Sequence, residues 1–527
     1  MSKVERVLIN ANVITMDKLK ERVEAIAIGD GRIVKIGDNN TVLKIVDEDS
    51  QIIDLEGKTV IPGFIETHAH LTDLGFTLSS WINLRNTKSI QEIRDKIKKA
   101  IESTPEGEWV QGFGWDQERL VEKRYPTRFD IDDVSRDNPV VLKRVCEHIC
   151  VVNTKALEVL GINEDTPPPQ GGSFDKDPES GVLTGIFREK AVDLVLEKIP
   201  PPSEAILEKA MLEACRKMVS VGITSAHWIL GSARELKILR KLRKEGKLKV
   251  RVNAILPYEE LEEALNHIEK YGSNDEYLRV GTIKVFSDGS LGARTAALKE
   301  PYNDCETKGT LIYPPEKLEE IILNVHSKGL QLAIHAIGDE AIELTLKSVE
   351  EALRKIPKRG HRHRIEHATV LRRDLIDRIK KANLIVTIQP HFTISDFWIE
   401  DRLGKERARL ANPYRTLLEA GIMVTGGSDA PVEPVDPLLG IWAAVNRTIN
   451  SEERLSVEEA LKIYTLNGAY ASFEEKFKGS IEEGKWADLV ILSDDPTRVK
   501  PEEIKNLRVL ATIVNGVVEY SVQMLKW

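Results

Sequence analysis

Eight apolar runs, separated by amphipathic helical stretches, constrain this chain more than any other feature. They end at His68, Trp228, Leu256, Ser287, His335, His367, Gln389 and Ser428. Between them lie stretches of helical period, such as Ile342, Leu346, Val349, Leu353 and Ile356 after His335. Ser456-Val457-Glu458-Glu459 has the form of a capping box that opens another helix. Regular alternation of strand and helix makes parallel βα units. Eight of them predict an α/β fold, a (β/α)8 TIM barrel.

The barrel does not account for the whole chain of 527 residues. Residues 1–60 hold short strands (Val7 to Ile14, Ala25 to Ile28, Ile33 to Gly37), with a hairpin turn at Gly29-Asp30-Gly31. Residues 479–527 hold two more, Ala487 to Leu492 and Val509 to Gly516. Neither set could bury its own apolar face, so the expectation is one small β-sandwich built from both termini, flanking a barrel over 61–478. An insertion at about 74–212 separates the first two barrel strands and is expected to form a lid over the barrel mouth.

Charge narrows the function classes. A net charge of −9 and a pI near 5.8 argue against nucleic acid or an anionic membrane as partner, which leaves a small-molecule substrate. No apolar run approaches the roughly 18–20 residues of a membrane span, and the first residues have no signal-peptide core. Four cysteines without a Cys-x-x-Cys fit a reducing cytoplasm.

Barrel chemistry sits at the C-terminal ends of the strands. In Gly63-Phe64-Ile65-Glu66-Thr67-His68-Ala69-His70, the two histidines stand at i and i+2, on one side of a strand end. Lys284 lies in the fourth strand, His335 ends the fifth, His367 the sixth and Asp429 the eighth. Singly, these are core histidines, an ion-paired lysine and a helix-capping aspartate. Together they are the imidazole and carboxylate donors that suit Zn2+ and related divalent ions, one or two in number. A protonated Lys284 would repel such an ion and would be disfavoured by burial. Reaction of its amine with carbon dioxide (N6-carboxylation) would give an anion able to bridge two ions.

The stretch Ile61 to His70, the ligands in this order, Lys284 to Ala296 and Gly479-Ser480-Ile481-Glu482-Glu483-Gly484-Lys485-Trp486-Ala487-Asp488-Leu489-Val490 together resemble the amidohydrolase superfamily over nearly the whole chain. Within it, the Lys284 segment and the long insertion resemble the branch that contains N-substituted formamide deformylases. The resemblance implies a metal-dependent hydrolase, with His68, His70 and Asp429 on the more buried metal. Carboxylated Lys284 would bridge to a second metal on His335 and His367. His391 follows Pro390 directly, departing from the pattern the resemblance leads one to expect there, and is left outside the site. A homodimer is a family-level expectation.

These parts suit hydrolysis of a non-peptide C–N bond in an amide, N-formyl or cyclic amide substrate. A water with its pKa lowered to about 7 attacks the carbonyl, and Asp429 serves as general base and then acid. Two alternatives stand beside this: an ester, lactone or phosphoester hydrolase on the same site, and a non-catalytic scaffold, which would need lost ligands. For substrate contacts the candidates are Trp115 and Asp116 in a Gly-rich loop, His148, and Arg294 after strand four. Equally, Trp115 packs the lid's own core and Arg294 makes a structural ion pair. The aromatic residues of the insertion (Trp81, Trp109, Phe113, Trp115) hint at a hydrophobic substrate.

Overall fold

The computed structural model describes residues 3–522. Eight parallel strands form one sheet in chain order: Phe64–Ala69, Ile223–Ile229, Arg251–Pro257, Leu278–Phe286, Gln331–Ala336, Arg364–His367, Ile385–Ile388 and Met423–Gly426. Their ends fall at or within two residues of the positions expected from sequence. The sheet closes where its last strand meets its first. Thr67 Oγ1 donates to the carbonyl of Gly426 at 2.8 Å, and the Asp429 amide donates to the carbonyl of His68 at 2.7 Å. The chain therefore folds as a TIM barrel, and the apolar runs are continuous because helices cover one face of the sheet while side chains fill the interior.

The helix Asp339–Lys355 buries Ile342, Leu346 and Val349 against the barrel. Leu353 is only partly buried, and Ile356 caps the helix and is exposed. The capping box also forms. Ser456 Oγ accepts from the Glu459 amide at 3.2 Å, and Glu459 Oε2 accepts from the Ser456 amide at 2.7 Å, opening Val457–Ile463.

The terminal strands form two facing sheets. One, wholly N-terminal, contains Arg6–Ile9, Ala25–Gly29, Arg32–Gly37 and Gln51–Asp54. The other joins Asn12–Ile14, Arg22–Val23 and Thr59–Pro62 to Leu489–Leu492, Val509–Val514 and Val517–Ser521. Leu8, Ile26, Val60, Leu489 and Ile513 pack in the shared core. Asp30 and Gly31 both take positive φ (50° and 70°), as a two-residue turn matched to strand twist requires. A buried ion pair ties this unit to the barrel: Arg251 Nε and Nη2 donate to Asp488 at 2.7 and 3.0 Å.

Between the first two barrel strands, the helices Leu71–Ser79 and Glu204–Ser220 pack on one another and on the barrel core. The chain between them carries a six-stranded sheet with its own apolar clusters, running from Ile82–Asn83 to Leu183–Glu189.

Near the N-terminal ends of the strands, three histidines form a chain of hydrogen bonds. His326 Nδ1 lies 2.8 Å from His363 Nε2, the Leu332 amide donates to His363 Nδ1 at 3.1 Å, and the His363 amide donates to His361 Nδ1 at 2.9 Å. Burial, reinforced by the neighbouring imidazoles, holds His363 well below its ordinary value. Burial likewise lowers His361. The unfolded chain therefore takes up these protons first, near pH 6.5. The stability from the neutral imidazoles is complete above that value and is lost as pH falls below it, with a limiting slope of about 1.4 kcal/mol per pH unit for a group that stays neutral in the fold, as His363 does. Urea unfolding between pH 7 and pH 5 should show stability falling with pH, with the other buried histidines contributing in the same direction, and His363→Gln should lower the slope by the share of one group. An unchanged slope in that variant would remove His363 from the account.

Candidate active site

The first and eighth strands bring three donors together. His68 Nε2 lies 3.3 Å and His70 Nε2 3.6 Å from Asp429 Oδ1, and the donor atoms of all three residues are within 4.8 Å of one another. The seam is tight: a Cβ on Gly427 would come 2.7 Å from Glu66 Oε1 and 2.8 Å from the His68 amide nitrogen. Asp429 itself sits at φ 58° and His367 at φ 74°, conformations that L side chains adopt only under constraint. At His367 the turn matters for direction. Strand alternation would send it away from the face that carries Arg364 and Glu366, and the positive φ breaks that alternation.

Each of three imidazoles has one nitrogen already engaged. His68 Nδ1 is bound by the Glu366 carboxylate, His367 Nδ1 donates to Gln389 Oε1 at 2.7 Å, and His335 Nε2 donates to the carbonyl of Gly289 at 3.0 Å. The rings cluster, with centroids 4.8 Å apart for His68 and His367 and 4.5 Å for His335 and His367. Such outer contacts fix the tautomer and aim the remaining nitrogen. Burial pushes His68, His335 and His367 well below the usual histidine range and His70 down to about 3. Neutral imidazoles with one free nitrogen, beside a carboxylate, have the donor chemistry that a divalent ion requires. Beneath them Arg364 donates through Nε and Nη2 to both oxygens of Glu366, at 2.7 and 2.9 Å. Burial alone would raise Glu366, but Arg364 overrides it and keeps the carboxylate charged.

Lys284 lies in the same interior, with Nζ 3.4 Å from His68 Nε2. Burial lowers its ammonium from the usual range, against the opposing pull of Glu366 and Asp429. Burial also raises Asp429, with Lys284 opposing.

Two cavities meet over this cluster, and His148, His335, His367 and Asp429 line both. The wider, about 690 Å3, extends past Lys284, Phe286, Tyr313 and Leu196; the narrower runs past Asp116, Arg144, Phe392 and Trp398. The lid thus contributes directly to the barrel mouth. His148 Nδ1 lies 2.7 Å from Glu189 Oε2, and its ring centroid is 5.5 Å from that of His335. Burial works against a charge on His148, but Glu189 outweighs it and lifts the imidazole to about 9. Asp116 lines the narrower cavity, with its carboxylate 3.1 Å from Arg144 Nη2.

Two expected substrate contacts are corrected. Trp115 is fully buried in the lid's own core, where its Nε1 donates to the carbonyl of Leu142 at 2.8 Å. Arg294 lines neither cavity and donates instead to Asp304 at 3.1 and 2.8 Å. The hint from the insertion's aromatics is corrected with them, because Trp81, Trp109 and Phe113 also pack away from the cavities. The aromatic walls come from Phe286, Tyr313, Phe392 and Trp398. Arg294→Ala should therefore leave kcat/KM within about twofold and change stability by less than about 1 kcal/mol, as for a partly exposed pair. Steady-state kinetics with urea unfolding checks both; a tenfold rise in KM would restore Arg294 to the site.

Sequence reading missed Glu366, Arg364, Gln389 and Glu189. Arg364 and Glu366 did carry a signal, since i and i+2 on a strand share a face with a charge pair inside a barrel.

A family model described as the amidohydrolase family matches residues 51–520. YtcJ of Bacillus subtilis, which carries an amidohydrolase name, is 36% identical over 525 residues, spanning 96% of this chain and 98% of that protein. The N-substituted formamide deformylase of Arthrobacter pascens is 28% identical over 537 residues, spanning 97% and 98%. Among solved structures, an uncharacterized metal-dependent hydrolase from Pyrococcus furiosus superposes with a TM-score of 0.75 at 36% identity, covering 94% of this chain and all of that one.

Proposed function

The chain belongs to the amidohydrolase family of metal-dependent hydrolases, and from that premise we propose that it cleaves a non-peptide carbon–nitrogen bond in an amide, N-formyl or cyclic amide substrate. The observation that carries this reading is the convergence of His68, His70 and Asp429, with a buried lysine beside them. His68, His70 and Asp429 would hold one divalent ion, and His335 and His367 a second, with Zn2+ the ion that suits these donors best. The bound ion supplies Lewis acidity, which lowers the pKa of water and polarises a carbonyl.

The chain's own groups do the rest. Asp429 takes the proton of the attacking water at a carboxylate oxygen and delivers it to the departing nitrogen. Water adds to the carbonyl carbon, the C–N bond breaks, and acid and amine leave. Lys284, with its ammonium disfavoured, is the amine that carbon dioxide would convert to a bridging carbamate, releasing one proton. The deformylase relative favours formamides among the candidate bonds. The free thiols of Cys146, Cys150, Cys215 and Cys305 support a reducing compartment, and among the described residues no helix is long and apolar enough to cross a membrane.

Chelation should abolish hydrolysis, and readdition of Zn2+ should restore it. Elemental analysis should find one or two ions per chain. A panel of N-formyl amines, secondary amides and cyclic imides is set against lactones and phosphoesters; preference for either of the latter would refute C–N specificity while leaving metal dependence intact.

A further inference from the structure

The lid delivers one side chain to the barrel mouth by a means the hydrolase reading does not use. Glu189 ends the lid strand Leu183–Glu189 and opens the helix Lys190–Lys198, whose Val192, Asp193 and Leu196 line the wider cavity. It is buried, and its backbone sits at φ 50°, ψ −127°, a conformation that costs any residue with a Cβ. Two bonds hold it to His148: its amide donates to the His148 carbonyl at 2.9 Å, and its Oε2 lies 2.7 Å from His148 Nδ1.

The opposite wall is fitted to the same pair. A Cβ on Gly289 would lie 2.5 Å from Glu189 Oε1 and 2.4 Å from Thr295 Oγ1, so a larger residue there would push one of these side chains aside. The carbonyl of that glycine also accepts from His335 Nε2 at 3.0 Å. Glu189 is thus wedged between a lid histidine and the loop that orients a candidate metal ligand. With Nδ1 occupied, His148 presents only Nε2 to the space where both cavities meet, and Asp429 lines that space as well.

We propose that Glu189 is a positioning residue for catalysis, holding His148 so that its Nε2 contacts the substrate across the site from Asp429. The strained backbone persists because the carboxylate must reach His148, not because the fold needs it. This inference rests on the metal-dependent hydrolase reading, but not on which bond is cut.

Glu189→Gly separates the two roles. Glycine accepts φ 50° without strain but removes the carboxylate. The expected result is a fall of about 100-fold in kcat/KM, the scale of a misplaced catalytic contact, with the protein still folded at the assay temperature and metal content unchanged. Glu189→Gln, whose amide oxygen can still accept from Nδ1, should recover much of the loss. In a double-mutant cycle, Glu189→Gly should add little to His148→Ala, because the carboxylate acts through the imidazole. Activity within threefold of wild type, additivity with His148→Ala, or loss of metal from the variant would each overturn the proposal. The assays use whichever substrate the wild-type, metal-loaded protein turns over. A lactone preference would then count against the C–N reading alone.

Discussion

Asp429→Asn lowers kcat by about 10²–10⁴, the usual contribution of a positioned acid–base group, while most of the metal stays bound. The carboxylate sits 3.3 and 3.6 Å from the Nε2 atoms of His68 and His70, so in the proposed mechanism its oxygen borders the place of the attacking water. Asparagine keeps the shape and one oxygen acceptor. It cannot take up a proton near neutral pH. A divalent ion on Asp429 would favour its charged form, which leaves the carboxylate ready to accept the proton of the attacking water. Stopped or steady-state kinetics, paired with metal analysis of the same sample, checks the split between chemistry and binding. Near-normal turnover with full metal would remove the proton-shuttling role, and loss of metal would make Asp429 chiefly a ligand.

Arg364→Met destabilises the fold by about 3–5 kcal/mol, the cost of leaving one partner of a buried ion pair uncompensated. Arg364 is wholly buried and spends its donors on both oxygens of Glu366, on the carbonyl of Thr67 at 2.7 Å and on His227 Nδ1 at 2.7 Å. Glu366, also wholly buried, would keep His68 Nδ1 as its remaining close polar partner. The carboxylate would then tend to protonate, and its grip on the His68 ring would loosen. Metal affinity should fall with stability, by about 10–100-fold, as for other outer partners of a metal ligand. Arg364→Lys keeps a charge but not the planar fork, so it should recover only part of both losses. Urea unfolding and metal competition give the two numbers. A stability change below about 1 kcal/mol would mean that the pair is replaceable packing.

The difference between what could and could not be read from the chain has a geometric cause. Strand ends were legible because a run of apolar residues in a parallel barrel stops where the chain turns, and His68, His335 and His367 stand at such stops. The lid was not legible in the same way. Trp115 follows two glycines, Gly112 and Gly114, and nothing local says whether its ring faces the cavity or the lid core; the sheet register decides it. Arg294 has Asp304 within ten residues, but loop closure alone brings the two together. Glu189 carried no signal, since a strained φ at a residue with a Cβ is visible only in coordinates.

Taken alone, the residue order determined the barrel, because continuous apolar runs alternating with period-3.6 stripes can be buried together in few ways, and it named the candidate donors, because their chemistry is intrinsic. The tertiary structure decided which nitrogen of each imidazole is free, that Arg364 and Glu366 brace His68, and that the lid brings His148 rather than Trp115 to the mouth. Those outcomes depend on distances between strands far apart in the chain and on backbone turns at His367, Asp429 and Glu189, and such quantities arise only when the barrel closes and the lid seats upon it.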